Sequence, residues 1–436
     1  MAAPGGELAA AEVLLVEKLA KDGGTPVRDT ASRPWPSISN ATGRTFGGEE
    51  LELLRQVIES GKLFRYGGTM VEAFEQEMAA RYGVKHAIAV TSGTAAIHTA
   101  VAALDLEVGD EIITTTVTDA GTVIGILQCN CVPTFADVDR RTMNMRPDSI
   151  EAAISDRTRA IIVVHLFGQP APMDEILDIA RRHNLRVIED CSQAHGATFD
   201  CRLVGTIGDL GAFSMQQSKQ IATGDGGVVI TNDDELAGRA RAFHDKYFDR
   251  RGEYRGHVKL GINYRMNELT GAVALAQLRK MDQILARRRA TAGLLRERIS
   301  AIEGIVPPWI HPKAEHSWWI FSFQIDEHRL GCTTQEFREA IQAEGLPFAT
   351  GYAGGIPICM YPFLKERRAY GSGHFPWEPP YGRGVEYREE DYPDTYWAQA
   401  HTFVTSWNEG FTEDDVDDIV RGLEKVAQHF LARASG

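Results

Sequence analysis

The chain has 436 residues, 43% of them hydrophobic and 24% charged, with a formal net charge of −14. That length exceeds one simple core and predicts two or three domains of a globular protein. The acidic balance argues against a nucleic-acid partner, which calls for a basic face, and apolar stretches of only strand length argue against a membrane span.

Residues 8–21 predict an amphipathic helix rather than a signal peptide: no basic region precedes them, and Glu12 and Glu17 interrupt the apolar run. A loose Pro-rich segment follows over 25–40. Helical patterns at 49–60 and 69–82 are stopped by Gly61 and Gly83, with a loop at 64–68 between them. From residue 86 strand and helix alternate. Strands are predicted at 87–90, 111–117, 132–136, 160–165, 186–189, 211–214 and 227–231, and helices from 94 to 104 and at 120–128, 147–154 and 172–183. This pattern predicts an α/β domain with a mostly parallel sheet covered on both faces. In such sheets ligands sit beyond the carboxyl ends of the strands, where Thr91–Thr94, His165, Asp190 and Ser214 fall. Six cysteines show no zinc-type spacing; Cys129 and Cys131 read as small buried or half-buried thiols, with no metal site, and the usage fits a reducing cytoplasm.

A long helix is predicted over 266–301, with Arg287-Arg-Arg289 as a solvated face. A smaller α+β domain follows. It has a strand at 318–325, helices at 333–344 and 412–432, and an irregular stretch at 345–398, within which 371–395 reads as a long surface loop. The domain reading is an extension and arm (1–40), a large domain (41–285) and a small domain (286–436).

The chemistry centres on Lys219, in the run Phe213-Ser-Met-Gln-Gln-Ser-Lys219-Gln-Ile-Ala-Thr-Gly-Asp-Gly-Gly227. A lysine attacks an aldehyde only after its pKa is lowered by desolvation or nearby cations. Asp190 ends a strand and shares one turn with Gln193 and His195. Pyridoxal phosphate (PLP) needs such a pair, a lysine for a Schiff base and a carboxylate for its pyridinium nitrogen, together with a phosphate cradle. Thr91-Ser-Gly-Thr-Ala-Ala96 opens a helix and supplies an anion site, although an N-cap alone also explains a Ser or Thr there. Ser214 adds a hydroxyl.

These runs, with Val132-Pro-Thr-Phe-Ala-Asp-Val-Asp139, His165-Leu-Phe-Gly-Gln-Pro-Ala-Pro-Met-Asp174, Glu189-Asp-Cys-Ser-Gln-Ala-His-Gly196, Gly205-Thr-Ile-Gly-Asp209 and Gly261-Ile-Asn-Tyr-Arg-Met266, resemble the DegT/StrS family of PLP-dependent sugar and cyclitol aminotransferases from about Gly23 to the C-terminus. The resemblance implies a type I PLP-transferase fold. It implies that Lys219 carries PLP and shuttles a proton, that Asp190 pairs with the pyridine nitrogen, and that Gln193 bonds the phenolic oxygen. Gly93, Thr94 and Ser214 then hold the phosphate, with Asn263 reaching in from the second subunit of a homodimer that shares its active sites.

Ping-pong amino transfer from glutamate or glutamine, through pyridoxamine phosphate, to a keto-cyclitol or keto-sugar is the expected reaction. Residues 20–27 and the run at Ser214 resemble the branch that acts on cyclitols and small sugars in antibiotic biosynthesis. A nucleotide-diphosphate keto-sugar is the alternative acceptor, and a non-catalytic regulator on the same fold is the alternative class. Relatives with histidine in place of the lysine are dehydratases; Lys219 favours transamination. Where the family places an aromatic over the cofactor, this chain has Asp119. Either another residue covers the cofactor face, or Asp119 contacts polar groups of substrate or cofactor. The rival reading is that Asp119 merely caps the helix beginning near Ala120, and His165 is a further candidate for the substrate or cofactor face.

Overall fold

In a computed structural model, residues 17–248 and 256–435 are described. The helix expected over 8–21 falls largely outside them; residues 20–22 form a single 3-10 turn.

The large sheet takes its strands from β1 (His86–Val90), β2 (Glu111–Thr115), β3 (Val132–Ala136), β4 (Thr158–Val164), β5 (Arg186–Asp190), β8 (Leu210–Ser214) and β9 (Gly227–Thr231). Between β5 and β8 a hairpin of β6 (Thr198–Phe199) and β7 (Arg202–Leu203) projects from it. The seven strands lie in the order β1-β9-β8-β5-β4-β2-β3. Only β9 runs against its neighbours; β8, β5, β4, β2 and β3 are successively parallel. Buried on both faces, these strands read as near-continuous apolar runs such as Ala160–Val164.

Helices α1 (Gly48–Ser60) and α2 (Met70–Tyr82) end where the sequence predicts, with Gly61 and Gly83 at φ of 65° and 64°. The covering helices are α3 (Gly93–Ala103), α4 (Ala120–Gln128), α5 (Pro147–Ala153), α6 (Met173–His183) and α7 (Asp234–His244). Helix α7 has no counterpart among the predicted elements. Its inward face offers just four apolar side chains, Leu236, Ala237, Ala240 and Phe243, beside His244, and the Asp233 carboxylate caps it by accepting from the N–H groups of Glu235 and Leu236.

The 32-residue α8 (Glu268–Ile299) joins two cores. Its first half packs Ala272, Leu275 and Leu278 against the large domain, and its last turns pack Ala292, Leu295 and Ile299 into the small one. The small domain's sheet comprises β10 (Ile305–Val306), β12 (Ile320–Ile325), β13 (Ala349–Thr350) and β14 (Phe403–Ser406), in the order β10-β12-β14-β13. Helix Glu413–Ser435 closes it. A short β11 (Ala314–Glu315) pairs with β6 and ties the small domain back to the large one.

Two expectations hold only in part. Of Arg287–Arg289, Arg287 is exposed as expected, but Arg288 is 0% exposed, paired with Glu409 at 2.7 Å, and donates to the carbonyls of Trp407 and Trp318. It sits where α8 crosses between cores, so the side chain faces both domains. The 371–395 stretch is mostly exposed, as a surface loop should be, but it is anchored at buried aromatic side chains. Trp377 is fully buried and donates to the Tyr387 hydroxyl, which donates to the Pro133 carbonyl. Burying a side chain of that size contributes roughly 3 kcal/mol. Among the described residues no helix is long and apolar enough to cross a membrane.

Candidate active site

A cavity of about 360 Å³ opens at the carboxyl ends of β1, β2, β5 and β8. Ser92 leaves β1 in an extended conformation and caps α3, its Oγ accepting from the Ala95 N–H at 3.0 Å. The first-turn N–H groups of a helix lack intrahelical partners and carry the positive end of its dipole. Gly93 and Thr94, both in the cavity lining, occupy that turn. A Cβ on Gly93 would lie 2.5 Å from the Ser214 Cβ, so only glycine lets the helix N-terminus and the end of β8 meet.

Asp190 ends β5 inside this cavity. Its carboxylate accepts from the Thr122 hydroxyl at 2.8 Å and from the Ser192 N–H at 3.0 Å. Because Thr122 gives its proton to a carboxylate, the 2.7 Å contact between Thr118 and Thr122 runs with Thr118 as donor. The α4 turn thus orients the acid from two residues away.

Lys219 lies on the connection between β8 and β9, which folds back on itself through Met215 N–H to Gly226 O and Gln217 N–H to Gly224 O. Burial pushes its pKa down to about 8, while the carboxylates of Asp119 and Asp190 pull it up. Gln193 accepts the Phe167 N–H on Oε1 at 2.7 Å, which turns Nε2 toward the Tyr352 hydroxyl at 3.3 Å. An amine held near neutrality, a carboxylate and a helix N-terminus therefore face one space.

Residues 45–424 match the model of the DegT/DnrJ/EryC1/StrS aminotransferase family. The chain belongs to this family. Among its relatives, a putative L-glutamine:3-amino-2,3-dideoxy-scyllo-inosose aminotransferase of Micromonospora echinospora is 39% identical, covering 77% of this chain and 79% of that protein. The L-glutamine:2-deoxy-scyllo-inosose aminotransferase of Streptomyces kanamyceticus is 36% identical, covering 82% and 86%. GDP-perosamine synthase of Caulobacter vibrioides is 36% identical, covering 71% and 83%. The crystal structure of an aminotransferase from Psychrobacter cryohalolentis superposes with a TM-score of 0.77 at 29% identity, covering 89% of this chain and 98% of that one.

Family members are PLP-dependent in general, and the residues here fit that cofactor. The approach at Gly93 leaves a cradle that a Cβ would fill, and the donors of α3 and the Ser214 hydroxyl suit a phosphate. Across the cavity, the buried amine and the threonine-held carboxylate suit the aldehyde carbon and the ring nitrogen.

Asp119, expected at the family's aromatic position, caps α4 through Oδ1 at 2.8 Å from the Gly121 N–H and also lines the cavity. The aromatic side chains that line the cavity, Trp319 and Tyr352, come from the small domain. The Trp319 ring centroid lies 3.8 Å from Lys219 Nζ, and Tyr352 packs against Phe167 with ring centroids 5.7 Å apart. Neither residue stood out in the sequence, where Trp318-Trp319 read only as the start of a strand. The backbone carries the missing signal: Phe167 and Trp318 take φ of 63° and 53°, rare for bulky residues, and their loops bond through Trp319 N–H to Phe167 O and Ser317 N–H to Gly168 O.

His165 is corrected: it does not line the cavity. It is 0% exposed, accepts the Ala171 N–H on Nδ1, and so donates through Nε2 to Glu189 at 3.0 Å. Alternation along β5 sends Glu189 and Asp190 to opposite faces, and His165 follows Glu189. His195 lies behind the cavity, donating to the Ser214 carbonyl at 2.7 Å, and burial pushes its pKa down to about 4. Asn263 is exposed, bridged to Asp245, and is not part of this cavity in the single chain.

Proposed function

We propose that this aminotransferase binds PLP between α3 and Lys219 and transfers an amino group, from glutamine or glutamate, to a small polyhydroxylated ketone, a keto-cyclitol or simple keto-sugar. The observation that carries this reading is the buried Lys219 amine, with a pKa near 8, facing Asp190 across a helix N-terminus. When bound, the cofactor supplies an electron sink for the bond-breaking at the substrate carbon. Lys219 binds it and moves the proton at that carbon. The first turn of α3 and Ser214 hold the phosphate. Asp190, oriented by Thr122, keeps the ring nitrogen protonated, and Gln193 donates through Nε2. Burial pushes the Tyr352 phenol well above its ordinary pKa, so it stays protonated, accepts from Gln193 and has its own proton to give. Trp319 keeps water from the amine.

The charge of the lining favours a neutral acceptor over a nucleotide-diphosphate sugar. Lys219 is the one basic side chain among its described residues, against Asp119, Asp190 and Asp225. A substrate diphosphate close to those carboxylates is repelled, whereas sugar hydroxyls are donors they can bind. Relatives that act on scyllo-inososes support the same choice, and GDP-perosamine synthase is the relative that supports the alternative.

A homodimer in which Asn263 completes the partner's phosphate site accords with the apolar exposure beside it, Val258 at 60% and Leu260 at 90%. The six unpaired cysteines suit a reducing cytoplasm. The test is a screen of the pyridoxamine phosphate form against free keto-cyclitols, simple keto-sugars and nucleotide-linked keto-sugars, read by recovery of PLP absorbance. Recovery with nucleotide-linked ketones alone overturns the acceptor class.

A further inference from the structure

We propose that Arg44 is a positioning residue for Lys219, gripping the backbone of the lysine turn and tying it to the small domain through Glu409 and Arg288. The proposal rests on Lys219 being the reacting amine.

Arg44 follows the 3-10 turn Ala41–Gly43, and its side chain is 1% exposed. One guanidinium nitrogen donates to two carbonyls of the lysine turn, that of Gln217 at 2.7 Å and that of Lys219 itself. The carbonyl between them, on Ser218, accepts from the Trp319 indole at 2.8 Å. Three successive carbonyls around the amine are thus each held by a side chain from outside the turn. Once they are fixed, the direction in which the Lys219 side chain leaves the backbone is fixed as well.

Both grips lead to one carboxylate. The other terminal nitrogen of Arg44 stands 3.8 Å from Glu409 Oε2 and has no hydrogen-bond partner of its own. The same Oε2 accepts from Arg288 at 3.0 and 2.7 Å. Arg288 in turn donates to the carbonyls of Trp407 and of Trp318, the residue before Trp319. Burial lowers the pKa of Arg44 to about 10, which leaves the guanidinium charged at neutral pH. A charge buried at this cost and bound to two carbonyls of one turn is suited to holding that turn. Its consequence is the placement of Nζ against the Trp319 ring, away from water.

The test titrates Lys219 in cofactor-free, full-length protein by competitive acetylation with acetic anhydride, read by peptide mass spectrometry, alongside thermal melts. The wild-type midpoint is expected near 8. Arg44→Met frees the turn, lets water reach Nζ and raises the midpoint by about one pH unit. Arg44→Lys keeps a charge opposite Glu409 but loses the planar fork; it is expected to raise the midpoint less, and it keeps the proposal falsifiable should Arg44→Met fail to fold. An unchanged midpoint in a folded variant overturns the proposal, because a purely structural role for Arg44 moves the melt and not the titration of Lys219. Borohydride trapping of PLP on wild-type protein is the separate control: label on another lysine sinks the proposed function, while the midpoint still decides what Arg44 does.

Discussion

The two walls of the cavity are built on different principles. The large-domain wall consists of polar groups at the ends of regular elements: Gly93 and Thr94 at a helix start, and Asp190 and Ser214 at strand ends. Each is oriented by its own element or a neighbouring turn, as Thr122 orients Asp190. The small-domain wall is aromatic, Trp319 and Tyr352, and is carried by irregular backbone at Phe167 and Trp318 that only cross-bonding between two loops can hold. In the function proposed above, the first wall supplies charge and hydrogen bonds to the reaction, and the second sets how wet the amine is and therefore the pH at which it reacts.

The largest effects belong to the first wall. Lys219→Ala is expected to abolish the PLP chromophore and to cost at least about 10⁴-fold in turnover. In the wild type, capture of PLP by cofactor-free protein should rise with pH and level off above about 8, since burial depresses the amine's pKa to that value. The sign for stability follows. The unfolded chain holds more protons on this lysine between about 8 and its ordinary 10.5, so this group's contribution to stability grows with pH across that window. A capture rate still climbing at pH 10 would show an ordinary lysine. Asp190→Asn is expected to retain the cofactor and to lose roughly 10³-fold in turnover, as removal of a preorganised charge does. Near-normal transamination would assign the ring nitrogen to another acid.

The second wall gives smaller effects of a different kind. Trp319→Leu removes cover from the amine, and Lys219 returns toward its ordinary pKa. Desolvation is the larger influence on that amine, so the loss of the favourable ring contact is outweighed. A rise of one unit lowers the neutral fraction about tenfold below the midpoint. The check is the pH profile of PLP capture, which should shift as a whole. A lower plateau at an unshifted midpoint would mean that Trp319 shapes the cavity without controlling hydration.

This division also explains what could be read from the sequence. Strand, turn and helix patterns are local, so the β/α alternation and the residues at its carboxyl ends, Asp190 and Ser214 among them, were legible. Position at a strand end was not sufficient, however. His165 directly follows β4 as Asp190 ends β5, yet its side chain turns to Glu189 on the far face. Trp319, Tyr352 and Arg44 owe their places to contacts between distant segments, and nothing in their local sequence marks them. The buried Arg288 was hidden for the same reason: a run of arginines on a long helix looks solvated until a second core closes over it.

Asp119 is where the two walls are distinguished most finely. Its Oδ1 is taken up in capping α4, with the backbone at φ −74° and ψ 151°, but the residue remains exposed in the cavity and its charge holds the Lys219 pKa up. Asp119→Asn keeps an oxygen for the cap, so stability should change by no more than about 0.5 kcal/mol. Loss of the charge has two consequences at the site. The Lys219 midpoint should fall below its wild-type value, because an anion favouring the ammonium form has gone. A hydroxyl-rich ketone also loses a charge-assisted acceptor, which should raise its KM about tenfold while the amino-donor half-reaction changes little. Both are read on one preparation, the first by acetylation of cofactor-free protein and the second by steady-state kinetics with the ketone varied. If the midpoint falls while KM is unchanged, Asp119 acts only on Lys219, and hydroxyl recognition must come from the aromatic wall, with Tyr352 and its free proton as the next residue to vary.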